Sequence, residues 1–139
     1  MSAAKAFIDT NLLVYLYSDS EISKRSRVIQ EINQYERFVS TQVLNEFCNV
    51  CIRKLKLPID AIQNAVEEIK TICNLIIVDG DTIHIALRLH EKLGYSYYDC
   101  LMLSSALGSG CQYLLSEDMA SGHVIEESLT IKNVLVDSE

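Results

Sequence analysis

Four carboxylates, Asp9, Glu46, Asp99 and Asp118, lie far apart in the chain, yet each stands at the edge of an apolar element. Asp9 closes the run Ala6-Phe7-Ile8, and Asp118 follows closely on Tyr113-Leu114-Leu115-Ser116. Glu46 and Asp99 fall inside helix-like segments rich in apolar residues. A fold that gathers them builds an oxygen-only pocket whose like charges raise one another's pKa until a cation neutralises them. Carboxylates, water and substrate phosphate are the ligands that Mg²⁺ or Mn²⁺ prefers. The chemistry such a pocket suits is metal-assisted hydrolysis of a phosphodiester.

The elements that must position these acids can be read from periodicity and turn residues. Residues 4–9 read as a short buried strand, and Thr10-Asn11 lead into a helix over Leu12–Leu16. Ser20 or Ser23 is placed to cap a second helix carrying Ile22, Val28, Ile29 and Ile32. Arg37–Ser40 reads as a strand, with Thr41 as the N-cap of a helix that runs to about Lys56 and carries Leu44, Phe47, Cys48, Cys51 and Leu55 on one face. Pro58 suits the first turn of the next helix, whose Asp60, Glu67 and Glu68 face outward. A strand over Leu75–Val78 follows, then a helix from Asp79-Gly80-Asp81 to Gly94, and another from Ser96 to Gly108-Gly110. Tyr113–Leu115 and Ile131–Val136 read as the last two strands. Short apolar strands alternating with helices predict a parallel sheet covered on both faces. In such sheets ligands gather beyond the carboxyl ends of the strands, where Asp9 and Asp118 fall.

Each acid also has a plainer reading. Asp9 is a favoured N-cap residue with a helix directly after it. Ser96-x-x-Asp99 matches a capping box, although Asp99 shares its helical stripe with Met102, Leu103 and Ala106. Glu46 lies in line with Asn49 and Arg53 at the polar margin of its helix, where a solvated glutamate would also sit. Asp118 belongs to a segment that could be a simple turn. Alternation puts Ser116 and Asp118 on one side and Glu117 on the other.

The bulk properties narrow the class. With 139 residues, 49% of them hydrophobic, the chain fits a single domain over residues 1–139. No apolar run approaches the roughly 20 residues of a membrane helix, and Asp9 and Asn11 interrupt any signal core after Lys5. A cytoplasmic protein with no membrane association is expected. Five cysteines, an odd count, suit a reducing compartment, and Cys48-x-x-Cys51 has no second pair to complete a zinc site. A net charge of −7 argues against loose, non-specific nucleic-acid binding. Lys24-Arg25-Arg27 and Arg53-Lys54-Lys56 are local basic clusters that read as solvated helix faces.

Phe7-Ile8-Asp9-Thr10-Asn11, Asn45-Glu46-Phe47, Tyr97-Tyr98-Asp99-Cys100-Leu101 and Leu114-Leu115-Ser116-Glu117-Asp118-Met119, in that order and spacing, resemble the motifs of PIN-domain ribonucleases. Within that family the chain is similar to the VapC-type toxins of toxin–antitoxin pairs. The resemblance spans nearly the whole chain and implies a three-layer α/β/α sandwich with a central parallel sheet. It implies that Asp9, Glu46, Asp99 and Asp118 are catalytic and hold one or two Mg²⁺ or Mn²⁺ ions. Thr10, Asn11 and Ser116 would orient carboxylates or water. It further implies an RNA substrate, a homodimer, and a cognate antitoxin that fills the groove. Two departures stand out: Met119-Ala120 replaces the Asp-Phe of many relatives, and Asn133 is not followed by the Pro-Phe that some carry.

On this reading a water made acidic by the ion attacks phosphorus in line, leaving 5′-phosphate and 3′-hydroxyl ends. His84, His90 and His123 are isolated in sequence and read as surface or core residues rather than a base. A haloacid-dehalogenase-like phosphatase needs a second Asp two residues after the first, where this chain has Asn11. A receiver-like domain lacks its expected acidic pair. The remaining alternative is a non-catalytic PIN-like module that binds protein or RNA.

Overall fold

The apolar run that ends at Asp9 forms the middle of the molecule. In β1 (Lys5–Ile8), Ala6, Phe7 and Ile8 are wholly buried, as befits a strand covered on both faces. The computed structural model describes residues 3–136. Residues 1–2 and 137–139, which the expected domain over 1–139 includes, lie outside the described residues. After β1 come α1 (Thr10–Tyr17), α2 (Ile22–Ile32), β2 (Glu36–Ser40), α3 (Thr41–Arg53), α4 (Ile59–Ile72) and β3 (Asn74–Ile76). The chain continues through α5 (Gly80–Leu93), α6 (Tyr97–Gly108), β4 (Tyr113–Leu115), β5 (Val124–Ile125) and β6 (Leu129–Lys132).

The strands form one sheet in the order β3-β2-β1-β4-β6-β5. Phe7 of β1 aligns with Phe38 of β2 on one side and Leu114 of β4 on the other, both in parallel pairs. All pairs are parallel except β5 with β6. Helices flank this sheet in a three-layer α/β/α sandwich. The first two crossovers step from β1 to β2 to β3, whereas β4 returns to the far side of β1. The direction of winding therefore reverses between β1 and β4, and a crevice opens there beyond the strand ends.

Helix α6 is the buried post of the fold. Cys100 through Ala106 are all buried, and the helix packs against β1, β2 and β4. It is apolar nearly all round, as expected of a helix enclosed on every side. Ser96 caps it, accepting a hydrogen bond from the Asp99 N–H at 3.1 Å. Asp79 and Thr82 make a reciprocal capping box at the start of α5, and Gly94, with φ of 80°, ends that helix in a left-handed turn that favours glycine.

Several boundaries differ from those expected. The cap of α3 is Ser40, which accepts from the Val43 N–H; Thr41 is already helical and instead accepts from the Val78 N–H. That contact takes Val78 out of the sheet, and β3 ends at Ile76 because its partner β2 ends at Ser40. Pro58 precedes the first turn of α4 as its N-cap. Neither Ser20 nor Ser23 caps α2, whose N-cap is Glu21; the Ser20 hydroxyl pairs with that of Ser18. The last strand covers 129–132 rather than 131–136, because Glu126 and Glu127 adopt positive φ and fold β5 back onto β6. Two glutamates are not a turn signal, so this hairpin has no sequence mark.

Candidate active site

Three of the four acids arrive at the crevice on different supports. Asp9 is carried by the end of β1, Asp99 by the first turn of α6, and Asp118 by the irregular segment after β4. Glu46 comes from the second turn of α3, which starts where β2 ends. Their exposure grades from Asp9, 6% exposed, through half-buried Glu46 and Asp99 to exposed Asp118.

Asp9 occupies the N-cap position of α1, yet its side chain makes no capping hydrogen bond. The Ser116 hydroxyl instead donates to Asp9 Oδ2 at 2.7 Å. Burial, with Asp99 and Asp118 adding to it, pushes the Asp9 carboxyl up to about 6 against the pull of that hydrogen bond. The Asp99 carboxyl is also raised, first by burial and then by Asp118, while Ser96 pulls it down. Asp99 and Asp118 are thus near enough to raise Asp9, and Asp118 to raise Asp99, despite separations of up to about a hundred residues in sequence.

The supporting polar side chains are placed around them. Asn11 donates from Nδ2 to Asp118 Oδ2 at 2.6 Å. The Asp118 N–H donates to Ser116 Oγ at 3.3 Å, so one hydroxyl serves both aspartates. Thr10 Oγ1 lies 3.5 Å from Glu46 Oε2, linking the β1 end to α3. Gln42, one turn before Glu46, donates to its Oε1 at 3.0 Å. Beside the acids opens a cleft of about 380 Å³ lined by Asn11, Val14, Tyr15, Glu21, Val50 and Lys54.

Among the described residues, no group of three His, Cys, Asp or Glu side chains is drawn together closely enough to hold a metal ion on its own. The chemistry of the donors nevertheless suits a hard cation. They are carboxylates and hydroxyls, and an acid pushed up by burial, with acidic neighbours adding to it, is what a cation relieves. Mg²⁺ keeps several waters, so it does not demand a cage of direct protein ligands.

Some contacts were not legible beforehand. Glu117 accepts from Tyr15 Oη at 2.6 Å and from Lys24 Nζ at 3.2 Å. The signal for Tyr15 was its place one helical turn after Asn11. Asn133 donates to the Glu117 carbonyl at 3.3 Å, a contact between distant segments with no sequence signature. His90 and His123 are not isolated: both bond Tyr95, at its carbonyl (2.6 Å) and its hydroxyl (2.8 Å). The five cysteines are free, with Cys48 half-buried and the others buried.

The PIN domain family model matches residues 6–121. A search of curated proteins finds no match. Among solved structures, the chain is similar to a toxin–antitoxin complex from Klebsiella pneumoniae, with TM-score 0.70, 15% identity, and 93% of this chain and 97% of that one covered. It is also similar to VapC20 of Mycobacterium tuberculosis, a sarcin–ricin-loop-cleaving toxin, with TM-score 0.63, 20% identity, and 81% and 91% covered. A third is VapBC2 from Rickettsia felis bound to a DNA fragment from its promoter, with TM-score 0.64, 18% identity, and 93% and 98% covered. At these identities the likeness is one of fold. The match to the family model spans most of the sequence, including the ends of β1 and β4 that frame the crevice, and the chain belongs to the PIN domain family.

Proposed function

We propose that this protein is a Mg²⁺- or Mn²⁺-dependent endoribonuclease and the toxin of a toxin–antitoxin pair. The observation that carries the reading is the meeting of Asp9 and Asp118 at the Ser116 hydroxyl, where the sheet reverses its winding, with Asp99 near enough to raise the Asp9 carboxyl. Membership of the PIN family and the likeness to toxin structures support it.

In this reading Asp9, Glu46, Asp99 and Asp118 hold the cation. When bound, the ion supplies Lewis acidity, making water more acidic and offsetting charge that builds on the phosphate. The remaining work falls to the chain's own side chains. The Ser116 proton fixes Asp9 Oδ2, and its lone pair fixes the backbone of Asp118. The Asn11 amide turns Asp118 Oδ2, while Thr10 and Gln42 hold the Glu46 carboxylate. The RNA would approach along the cleft that Lys54 borders. A cytoplasmic homodimer restrained by an antitoxin fits the same reading, and no helix among the described residues is long and apolar enough to cross a membrane.

Asp99→Asn removes one charge at nearly constant volume. It should abolish Mn²⁺-dependent cleavage of total cellular RNA and Mn²⁺ binding by calorimetry, with the far-ultraviolet circular dichroism unchanged. Cleavage retained in that variant would sink the site assignment. A second reading, a PIN-like module that binds protein or RNA without cutting, draws on the absence of a closed three-acid group among the described residues. A folded parent that binds no Mn²⁺ and cuts no RNA favours it.

A further inference from the structure

The segment that carries Asp118 has no regular structure, and an exposed carboxylate on such a segment would ordinarily sample many positions. Here it is tied down residue by residue. Ser116 bonds Asp9, Glu117 bonds Tyr15, and Asp118 bonds Asn11. The three partners come from one stretch, the end of β1 and the exposed side of α1. Asn11 and Tyr15 are one turn apart, so their polar ends emerge from the same side of the helix. Lys24, from α2, closes the arrangement: its ammonium donates to both Tyr15 Oη and Glu117 Oε2 at 3.2 Å and lies 4.9 Å from the centre of the Tyr15 ring. Asn133 donates to the Glu117 carbonyl at 3.3 Å.

We infer that Tyr15, Glu117 and Lys24 are positioning residues, a latch that holds Asp118 in the site by pinning its neighbour to α1 and α2. The backbone bends at Glu117 and Asp118, and both side chains reach the same side of α1. Fixing Glu117 against α1 and α2 therefore restricts the backbone that carries Asp118. None of the three needs to touch the cation or the RNA. The inference rests on the proposed role of Asp118 as a cation ligand.

The experiment is a Mn²⁺ titration by calorimetry of the full chain and of its Tyr15→Phe and Lys24→Met variants, with thermal unfolding measured beside each. Tyr15→Phe deletes one hydroxyl, keeps the ring under Lys24, and changes no charge. It should weaken Mn²⁺ binding by about tenfold, the low end for one charge-assisted hydrogen bond. Lys24→Met supplies a test of sign. Removing a positive charge near a cation site strengthens cation binding by Coulomb's law alone, whereas loss of the latch weakens it. Weaker binding in both variants, with folded protein in each, is the expected result. Parent-like affinity in Tyr15→Phe, or tighter binding in Lys24→Met, overturns the latch while leaving the acid site standing. No Mn²⁺ binding by the folded parent overturns the site reading and the latch together. Glu117→Gln, which can still accept from Tyr15, should bind more tightly than Glu117→Ala; equal losses in the two also overturn it.

Discussion

The two ends of the central sheet treat polar groups in opposite ways. At the amino end, Arg37 at the start of β2 donates to the carbonyls of Ile72, Ile32 and Tyr35 at 3.0, 3.1 and 3.2 Å. Two of those carbonyls close helices α4 and α2, where a cation is favoured. Asn74 joins in by donating to the Arg37 carbonyl at 3.1 Å. At the carboxyl end, acids meet acids, and Asp9 is buried with one serine hydroxyl as its side-chain donor. One end is built for stability. The other holds an arrangement that costs stability, which the proposed cation would relieve.

The contrast is sharpest at Asp9. Its folded pKa of about 6 lies above the ordinary 3.8, so the folded protein holds the proton more tightly than the unfolded chain. Stability from this group is present below about pH 4 and is lost as pH rises through about 6, by on the order of 3 kcal/mol. In chelator, Asp9→Asn should therefore raise stability at pH 8 by roughly 2–3 kcal/mol and flatten that part of the pH profile, while Mn²⁺ binding disappears. Urea titrations at several pH values check this. A less stable Asp9→Asn protein would end the claim that the carboxyl end is strained.

Arg37→Met should act in the other direction, lowering stability by about 2 kcal/mol at every pH where Arg is charged, because several carbonyls lose their donor. A neutral result in urea would mean that water replaces the guanidinium without cost, and the amino end would lose its special standing. Ser40→Ala removes a buried cap of α3 and should cost about 1 kcal/mol, with Mn²⁺ affinity little changed, since Glu46 lies beyond the capped turn. Lys92→Ala, which breaks an exposed pair with Glu126 at 3.0 Å, should shift stability by less than about 0.5 kcal/mol. It calibrates how little a surface charge matters outside either end.

The long helices and the strands at the sheet centre were readable because their apolar residues repeat at helical spacing or run unbroken, as in Phe7-Ile8 and Leu114-Leu115. The placement of Asp9 and Asp118 at strand ends followed from the same patterns. What escaped was decided by partners rather than by local sequence. β3 ends where β2 ends, Ser40 caps in place of Thr41 because Thr41 is engaged by Val78, and β5 exists only against β6. At the site, the family resemblance named the acids, but the pairing of Glu117 with Tyr15 and Lys24 depends on three segments meeting. Periodicity carries no information about such a meeting.

Asp99 stands on a helix that is enclosed from Cys100 to Ala106, whereas Asp118 stands on a loop whose neighbours Ala120 and Ser121 are open to solvent. Half of the site is thus anchored in the foundation and half is mounted on its facade. Replacing residues in the foundation threatens the whole building, but those on the facade can be exchanged one at a time. On the proposed function, a lineage carrying this architecture can vary what surrounds Asp118, and with it the RNA it accepts, without having to learn again how to fold.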